Sequence, residues 1–391
     1  MSVEQMAHLS DLFIEHDSLV SLHVQLHNQM RRLILSGRWA YGTRIPTESQ
    51  LVTHLNISRS TVRLALHMAE VEGLIERTRG RGTFVAYQAP TPNRPLAFVA
   101  TDLNTDYQLL ILKGAEREAR ARGYRVIFTN APDQEEELRI LADLVKDDIA
   151  GIMLWPRPSG EREVNRVLYA QLILPTILID RPIPGLNQIR CVTSDNYGGA
   201  AQLMQHLFSL GHRDIVSLSH QQTHLLPVAD RLRAYADAFE VIGLVPPDPW
   251  LIGDPEEEIG SKHVMRAYDN ADMPHIIAIQ AYVTQRQPTA VFAINDHVAV
   301  LAALAMRQLG LRIPQDISIA GFDDADLSVY MNVPLTTVAQ DTFEIGRRAA
   351  QLLINQIENP GQVGQNQFVP TQLRVRESTA VFTASADIER G

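Results

Sequence analysis

The chain has 391 residues, 45% of them hydrophobic, and a formal net charge of −10, so it holds enough apolar material for two or three domains with buried cores. Its one cysteine, Cys191, excludes an internal disulfide and suits a reducing compartment. No apolar run approaches the roughly 20 residues needed to cross a bilayer, and the opening Met-Ser-Val-Glu-Gln-Met-Ala-His lacks the basic and apolar segments of a secretory signal, so a soluble cytoplasmic protein with no membrane partner is expected.

The charge is unevenly spread. Residues 1–19, an N-terminal extension, hold four acids and no base, whereas residues 20–87 hold nine arginines, no lysine and four acids, a net of +5. The remainder, 88–391, carries −11. A basic island on an acidic chain is expected when one module meets phosphate and the rest does not. Arginines that merely solvate helix faces would give the same composition.

Within the island, Val24, Leu26, Met30, Leu33 and Ile34 predict a helix over Val24–Ile34 with one buried stripe, and Gly37 follows its end. Pro46-Thr47-Glu48-Ser49-Gln50 reads as a helix start, with Thr47 as cap and Gln50 completing a capping box. Glu48 is read as part of that cap. After a turn at Asn56-Ile57, Ser58 caps a second helix, Arg59 to about Val71, which buries Val62, Ala65, Leu66 and Ala69. Two short helices joined by a tight turn predict a helix-turn-helix whose second helix presents Arg59, Ser60, Thr61 and Arg63 to the major groove. Gly73 ends that helix. Leu74–Arg77 and Thr83–Ala86 alternate like two strands around Arg79-Gly80-Arg81-Gly82, a basic hairpin whose glycines permit positive φ and close approach to DNA.

The strings Leu22-His-Val-Gln-Leu, Ile45-Pro-Thr-Glu, Ile57-Ser-Arg-Ser-Thr-Val-Arg-Leu-Ala-Leu, Glu72-Gly-Leu-Ile and Gly80-Arg-Gly-Thr-Phe-Val together resemble the gluconate-repressor (GntR) winged-helix family over roughly 22–87. The resemblance implies that Arg59, Ser60, Thr61 and Arg63 read a double-stranded DNA operator while Gly80, Arg81 and Gly82 form a wing at the minor groove. Ser49 stands where many members carry a DNA-contacting arginine.

Residues 88–95, with three prolines in eight, form a semi-rigid linker. From Leu96 to Thr383 apolar strands alternate with amphipathic helices, predicting parallel α/β sheets covered on both faces, in two lobes; residues 384–391 are a tail. Strands are expected at Leu96–Thr101, Arg125–Asn130, Gly151–Trp155, Thr176–Asp180, Asp214–Ser219, Ala290–Ile294 and Ile317–Gly321. Helices are expected at Leu109–Arg122, Ala200–Leu210, Arg231–Ile242 and Val298–Leu309. Ligands in such folds sit beyond the carboxyl ends of the strands. There the chain places Asp102, Asn104, Asp106 and Tyr107, then Arg181, Asp195, Asn196, Asn295, Asp296, Asp323 and Asp324. Forked polar groups beside a ring suit a polyhydroxylated ligand, although Asp and Asn after strands are also ordinary helix caps.

Leu178-Ile-Asp-Arg181, Ser194-Asp-Asn-Tyr-Gly-Gly199, Leu210-Gly-His-Arg-Asp-Ile215, Arg231-Leu-Arg-Ala-Tyr235, Phe292-Ala-Ile-Asn-Asp296, Ile313-Pro-Gln-Asp-Ile-Ser318, Gly321-Phe-Asp-Asp324 and Leu335-Thr-Thr-Val338 resemble the LacI/GalR effector domain, itself like a periplasmic sugar-binding protein. By that resemblance Arg231 and Asp296 contact a small sugar effector first, with Asp106, Tyr107, Arg181, Asp195 and Asp323 next, and His212 is a turn residue. Ala234 replaces a usual glycine, and residues 271–287 look longer than usual. A GntR headpiece on this sensor resembles the arabinose-repressor arrangement, which implies a homodimer responding to a pentose such as arabinose. No catalytic, metal or cofactor motif is visible: HExxH, GxSxG, P-loop and CxxC are missing, and Lys113, Lys146 and Lys262 carry no pyridoxal-lysine signature. Two alternatives stand beside the repressor reading: a sugar-binding transport receptor, and a DNA-binding protein whose second domain only dimerises.

Overall fold

The computed structural model describes residues 7–16, 18, 20–78, 80–87, 94–101, 103, 105–157, 169, 172–254, 259–270, 273–360 and 364–383. Arg79 of the wing, Asp102 and Asn104, residues 88–93 of the linker, 271–272 and the tail lie outside the described residues.

The headpiece has the predicted helix-turn-helix. α1 (Leu22–Leu35) buries Leu26, Met30, Leu33 and Ile34. α2 (Glu48–Leu55) begins with the expected capping box, in which Gln50 N donates to Thr47 Oγ1 at 3.3 Å and Thr47 N to Gln50 Oε1 at 2.8 Å. α3 (Arg59–Val71) is capped by Ser58 Oγ, which accepts from Thr61 N at 3.1 Å. β1 (Ile75–Thr78) and β2 (Gly82–Val85) pair antiparallel as the wing. The extension is not idle chain. Gln29 carboxamide accepts from Phe13 N (2.9 Å) and donates to Phe13 O (2.5 Å), Gln25 does the same with Glu15 (both 3.0 Å), and Ala7 and Leu12 join the headpiece core. An α1 carboxamide thus supplies the donor and acceptor that a neighbouring strand would otherwise provide.

Behind it stand two parallel-sheet lobes. Lobe 1 collects β3 (Leu96–Ala100), α4 (Asp106–Ala121), β4 (Val126–Asn130), α5 (Gln134–Leu144), β5 (Gly151–Leu154), β6 (Thr176–Ile179) and β7 (Arg190–Ser194). The chain then enters lobe 2 as α6 (Asn196–Ser209), β8 (Ile215–His220), α7 (Leu226–Val241), β9 (Trp250–Ile252), α8 (Ser261–Asp269), α9 (Pro274–Arg286), β10 (Ala290–Ala293), α10 (Asp296–Gln308), β11 (Ser318–Asp323) and β12 (Thr336–Gln340). It returns to lobe 1 as α11 (Thr342–Glu358) and β13 (Gln367–Val369), then crosses back as β14 (Thr371–Arg374). The sheet orders are β13-β7-β6-β5-β3-β4 and β14-β12-β11-β10-β8-β9, with only the β12–β14 pair antiparallel among the described strand pairs of the two lobes. Strand residues such as Leu96–Ala100 and Ala290–Ala293 are buried throughout, because helices cover both faces.

The predicted helices exist but start earlier than their apolar stripes: α4 at Asp106 rather than Leu109, α6 at Asn196 rather than Ala200, α7 at Leu226 rather than Arg231. The first turns of α4 and α6 are satisfied by the caps Thr105 and Asp195, which apolar periodicity does not report, whereas α7 opens on Leu226-Pro227 with no side-chain cap. The segment 271–287 contains α9, whose Ile276, Ile279 and Val283 are buried in lobe 2.

α4 and α11 cross at glycines: a Cβ on Gly114 would lie 2.0 Å from Phe343 O, and one on Gly346 1.8 Å from Ile111 O. Because backbone meets backbone, nothing there can rotate away. Gly346→Ala is expected to destabilise the protein by about 1–3 kcal/mol or more. Urea unfolding measures this; an unchanged midpoint would contradict the close crossing.

Candidate functional site

In the headpiece, the N-terminal end of α3 exposes Arg59, Ser60 and Arg63, while Thr61 is half-buried against Ser58, whose Oγ lies 2.8 Å from both Ser60 Oγ and Thr61 Oγ1. Glu48, expected in the cap, takes no part in the Thr47–Gln50 capping box. Its carboxylate accepts from Arg63 Nε at 3.0 Å and lies 3.7 Å from Arg59 Nε and 3.9 Å from Arg77 Nη1. It is the common counter-ion of three arginines, drawn together only when α2, α3 and β1 pack. Arg77, which sequence reasoning left as a strand residue, therefore belongs to this face; its other partner is Glu70 at 3.2 Å. Ser49 Oγ accepts from Arg59 Nη2 at 3.4 Å, so the residue in the usual arginine position here supports a neighbouring one. On the wing, Gly80 (φ 77°) and Gly82 (φ 121°) hold the backbone where side chains are disfavoured, and Arg81 is exposed.

The second constellation lies where the strands of both lobes end. In lobe 1, Tyr107 OH has its one proton between two acceptors, Asp180 Oδ1 (3.1 Å) and Gln340 Oε1 (3.3 Å), its ring sits 5.6 Å from that of Trp155, and Arg181 Nε lies 3.4 Å from Asp180 Oδ2. In lobe 2, Arg231 stacks 3.7 Å above the Phe322 ring, donates to Asn196 Oδ1 (2.9 Å) and Ile294 O (2.8 Å), and faces Asp323 Oδ1 at 3.3 Å. Gln340 closes the circuit, its Nε2 donating to Asp323 Oδ1 at 2.7 Å. A chain of polar groups thus runs from lobe 1 to lobe 2 through Tyr107, Gln340, Asp323 and Arg231.

Five of the residues singled out in the sequence (Tyr107, Arg181, Asn196, Arg231 and Asp323) meet in this constellation. Asp106 lies at the exposed rim, and a hydrogen bond with it holds the carboxyl of Asp326 in lobe 2 above the ordinary carboxylate value. Asp296 is fully buried beneath the circuit, accepting from Thr337 Oγ1 (2.6 Å) and Ala325 N (2.8 Å); burial holds its carboxyl well above the usual range, with Asp323 adding to the effect. Asp195 caps α6 through Gly198 N (2.8 Å) at the crossing between lobes. His212 is buried among Thr289, Ser318 and Ala380 O, a turn anchor. Sequence reasoning missed Asp180, Gln340 and Trp155. The signal for Asp180 was its place beside Arg181; for Gln340 it was a polar residue ending the strand that follows Leu335-Thr-Thr-Val338.

Set beside known proteins, residues 22–85 match the description "Bacterial regulatory proteins, gntR family", and residues 204–379 match "Periplasmic binding protein-like domain". The arabinose metabolism transcriptional repressor of Geobacillus stearothermophilus is 30% identical over 366 residues, covering 91% of this chain and 97% of that protein. The regulator KdgR of Bacillus subtilis is 29% identical over 284 residues, covering 72% and 78%. Among solved structures, the regulator CelR in complex with cellobiose is similar with a TM-score of 0.61 at 23% identity, covering 88% of this chain and 99% of that one. A LacI-family regulator of Enterococcus faecium with bound ribose has a TM-score of 0.59 at 24% identity, covering 74% and 100%. At these identities the structural likeness speaks to the fold.

Two expectations follow from the geometry. Arg63→Ala should weaken operator binding by about 1–3 kcal/mol at fixed salt, read by fluorescence anisotropy; unchanged affinity would remove Arg63 from the interface. Asp323 is pushed up to about 6, chiefly by burial and against the pull of Arg231 and the Gln340 hydrogen bond. Between about pH 4, the ordinary carboxylate value, and pH 6 the folded protein binds a proton that the unfolded chain has released, so Asp323 makes the protein more stable as pH falls from 7 through 6. Urea midpoints at pH 7 and pH 5 should show this gain in the wild type and lose it in Asp323→Asn; equal gains in both would place the titration elsewhere.

Proposed function

The chain belongs to the GntR family of bacterial regulatory proteins, in the arrangement that carries a periplasmic-binding-protein-like domain behind the headpiece, and on that premise we propose that it is a repressor of carbohydrate-utilisation genes. Residues 20–87 hold the operator, two headpieces of a homodimer taking the halves of a pseudo-palindromic site. Residues 96–383 bind a small sugar in the cleft, with Tyr107, Asp180, Arg181, Arg231, Asp323 and Gln340 as its partners. The protein acts in the cytoplasm by binding, with no catalytic step. The observation that carries this reading is the polar circuit that joins the lobes through one carboxamide. A ligand that exchanges its hydroxyls for those internal bonds changes how the lobes sit, and a difference in sugar affinity between two states is a difference in operator affinity. The name of the Geobacillus relative favours arabinose as the first sugar to try.

A transport receptor would leave the arginine face of the headpiece without a use, and a domain that only dimerises would leave the circuit without one. The deciding experiment is operator binding by anisotropy with and without L-arabinose, D-ribose and D-xylose, alongside thermal shifts. Asp323→Asn is expected to cost about 1.5–3 kcal/mol of sugar affinity by removing a charged acceptor, while sugar-free operator binding stays unchanged. A sugar response that survives intact in this variant would move the binding site out of the cleft.

A further inference from the structure

The headpiece is seated on lobe 1 as well as tied to it by the linker. One guanidinium makes the junction. Arg31 of α1 places Nε 3.3 Å from Glu72 Oε2, just past the end of α3, and donates from Nη2 to the backbone carbonyl of Leu172 in lobe 1. Glu72 is gripped on its other side by the buried His27, whose Nε2 lies 3.0 Å from Oε1. Ile173, next in the chain, packs against the headpiece core. A third contact lies beyond the end of α1, where a Cβ on Gly37 would stand 3.6 Å from Pro360 Cβ. The seat uses the C-terminal ends of α1 and α3. The arginines at the N-terminal end of α3 stay exposed, so the seated headpiece still presents its DNA face.

The seat is also continuous with the cleft. From Ile173 the chain passes Leu174-Pro175 and becomes β6, which delivers Asp180 and Arg181. β6 itself spans four residues, about 13 Å at roughly 3.3 Å per residue, and Ile173 joins its first residue through a bend at Leu174 and through Pro175, whose carbonyl accepts from Ile152 N of β5 at 2.8 Å. That strand is interior to its sheet, hydrogen-bonded to β5 on one side and β7 on the other, and has no freedom to slip or bend alone. Rigid elements of this kind pass a displacement from one end to the other.

We propose that this seat is the route from cleft to operator: Arg31 and Ile173 fix the headpiece on lobe 1, and β6 carries movements of Asp180 and Arg181 to that contact. The proposal rests on the reading of the cleft as the effector site.

The test uses the full-length protein as wild type, Arg31→Ala and Ile173→Asp, one variant on each side of the seat. Hydrogen exchange of residues 22–36 is compared, and operator affinity is measured with and without saturating L-arabinose and D-ribose. Both variants are expected to speed exchange in the C-terminal half of α1 by about tenfold or more, and to bring the ratio of sugar-free to sugar-bound operator affinity to about one. Wild-type exchange in both variants would show that the headpiece is not seated. Faster exchange with an unchanged ratio would show that the seat is not the route. Either result overturns the proposal. If neither sugar alters the melting temperature or operator affinity of the wild type, the effector reading has failed instead, and the exchange comparison still decides whether the seat exists.

Discussion

The candidate cleft depends on the chain passing three times between the same two sheets at one place. β7 leads into α6, β12 into α11, and β13 into β14. The passages are tied to one another: Asp195 N donates to Val369 O at 2.8 Å, and Thr371 Oγ1 donates to Asp195 O at 3.2 Å. Three short connections side by side allow rotation of the lobes and resist their separation, the behaviour of a hinge. Everything proposed for the cleft follows from that restriction. Gln340 stands at the end of one passage, and for this reason one carboxamide reaches Tyr107 of lobe 1 and Asp323 of lobe 2 together.

The cleft is costly to maintain. Asp180 (φ 69°), Asp323 (φ 119°) and Asp324 (φ 54°) all adopt positive φ, where residues with side chains are disfavoured. Asp180 and Asp296 are buried, and buried carboxylates destabilise unless they are paired and hydrogen-bonded. Asp180 is paired with groups a ligand could replace, the Tyr107 hydroxyl and the Arg181 guanidinium, whereas Asp296 is held from within by Thr337 and Ala325. Strain and desolvation of this sort collect where binding, rather than stability, is selected. The small-residue crossing of α4 and α11 at Gly114 and Gly346 makes the opposite investment, locking lobe 1 so that the strain has a rigid surround.

The headpiece shows a related economy of charge. Glu48 neutralises part of an arginine cluster in the free protein, and the acidic extension places Asp11 against Arg38 and Trp39. Arg31 is spent on Glu72 and on lobe 1. The nine arginines counted in the sequence thus divide by task, some facing outward and others joining parts of the molecule, a distinction that charge alone does not make.

The winged helix-turn-helix, the two parallel lobes and the caps at Thr47 and Ser58 were legible in the sequence because each is set by local rules: apolar period, turn chemistry, hydroxyl-to-amide capping. The candidate DNA face was legible for the same reason, since Arg59 to Arg63 lie within one helical turn or so. What the sequence could not show is which distant groups meet. The true starts of α4 and α6 escaped the apolar period because cap groups occupy their first turns, and that of α7 because Pro227 stands in its first turn. Glu48 looked like a cap until α3 and β1 packed around it, and the structural bonds that Asp296 and Asp195 make to Ala325, Thr337 and Gly198 were not visible in the sequence. Asp180, Gln340 and the seat at Leu172–Ile173 became visible only in three dimensions. Local order is written in neighbouring residues, whereas a polar circuit is closed by side chains as far apart as Tyr107 and Gln340, and only packing chooses the partner.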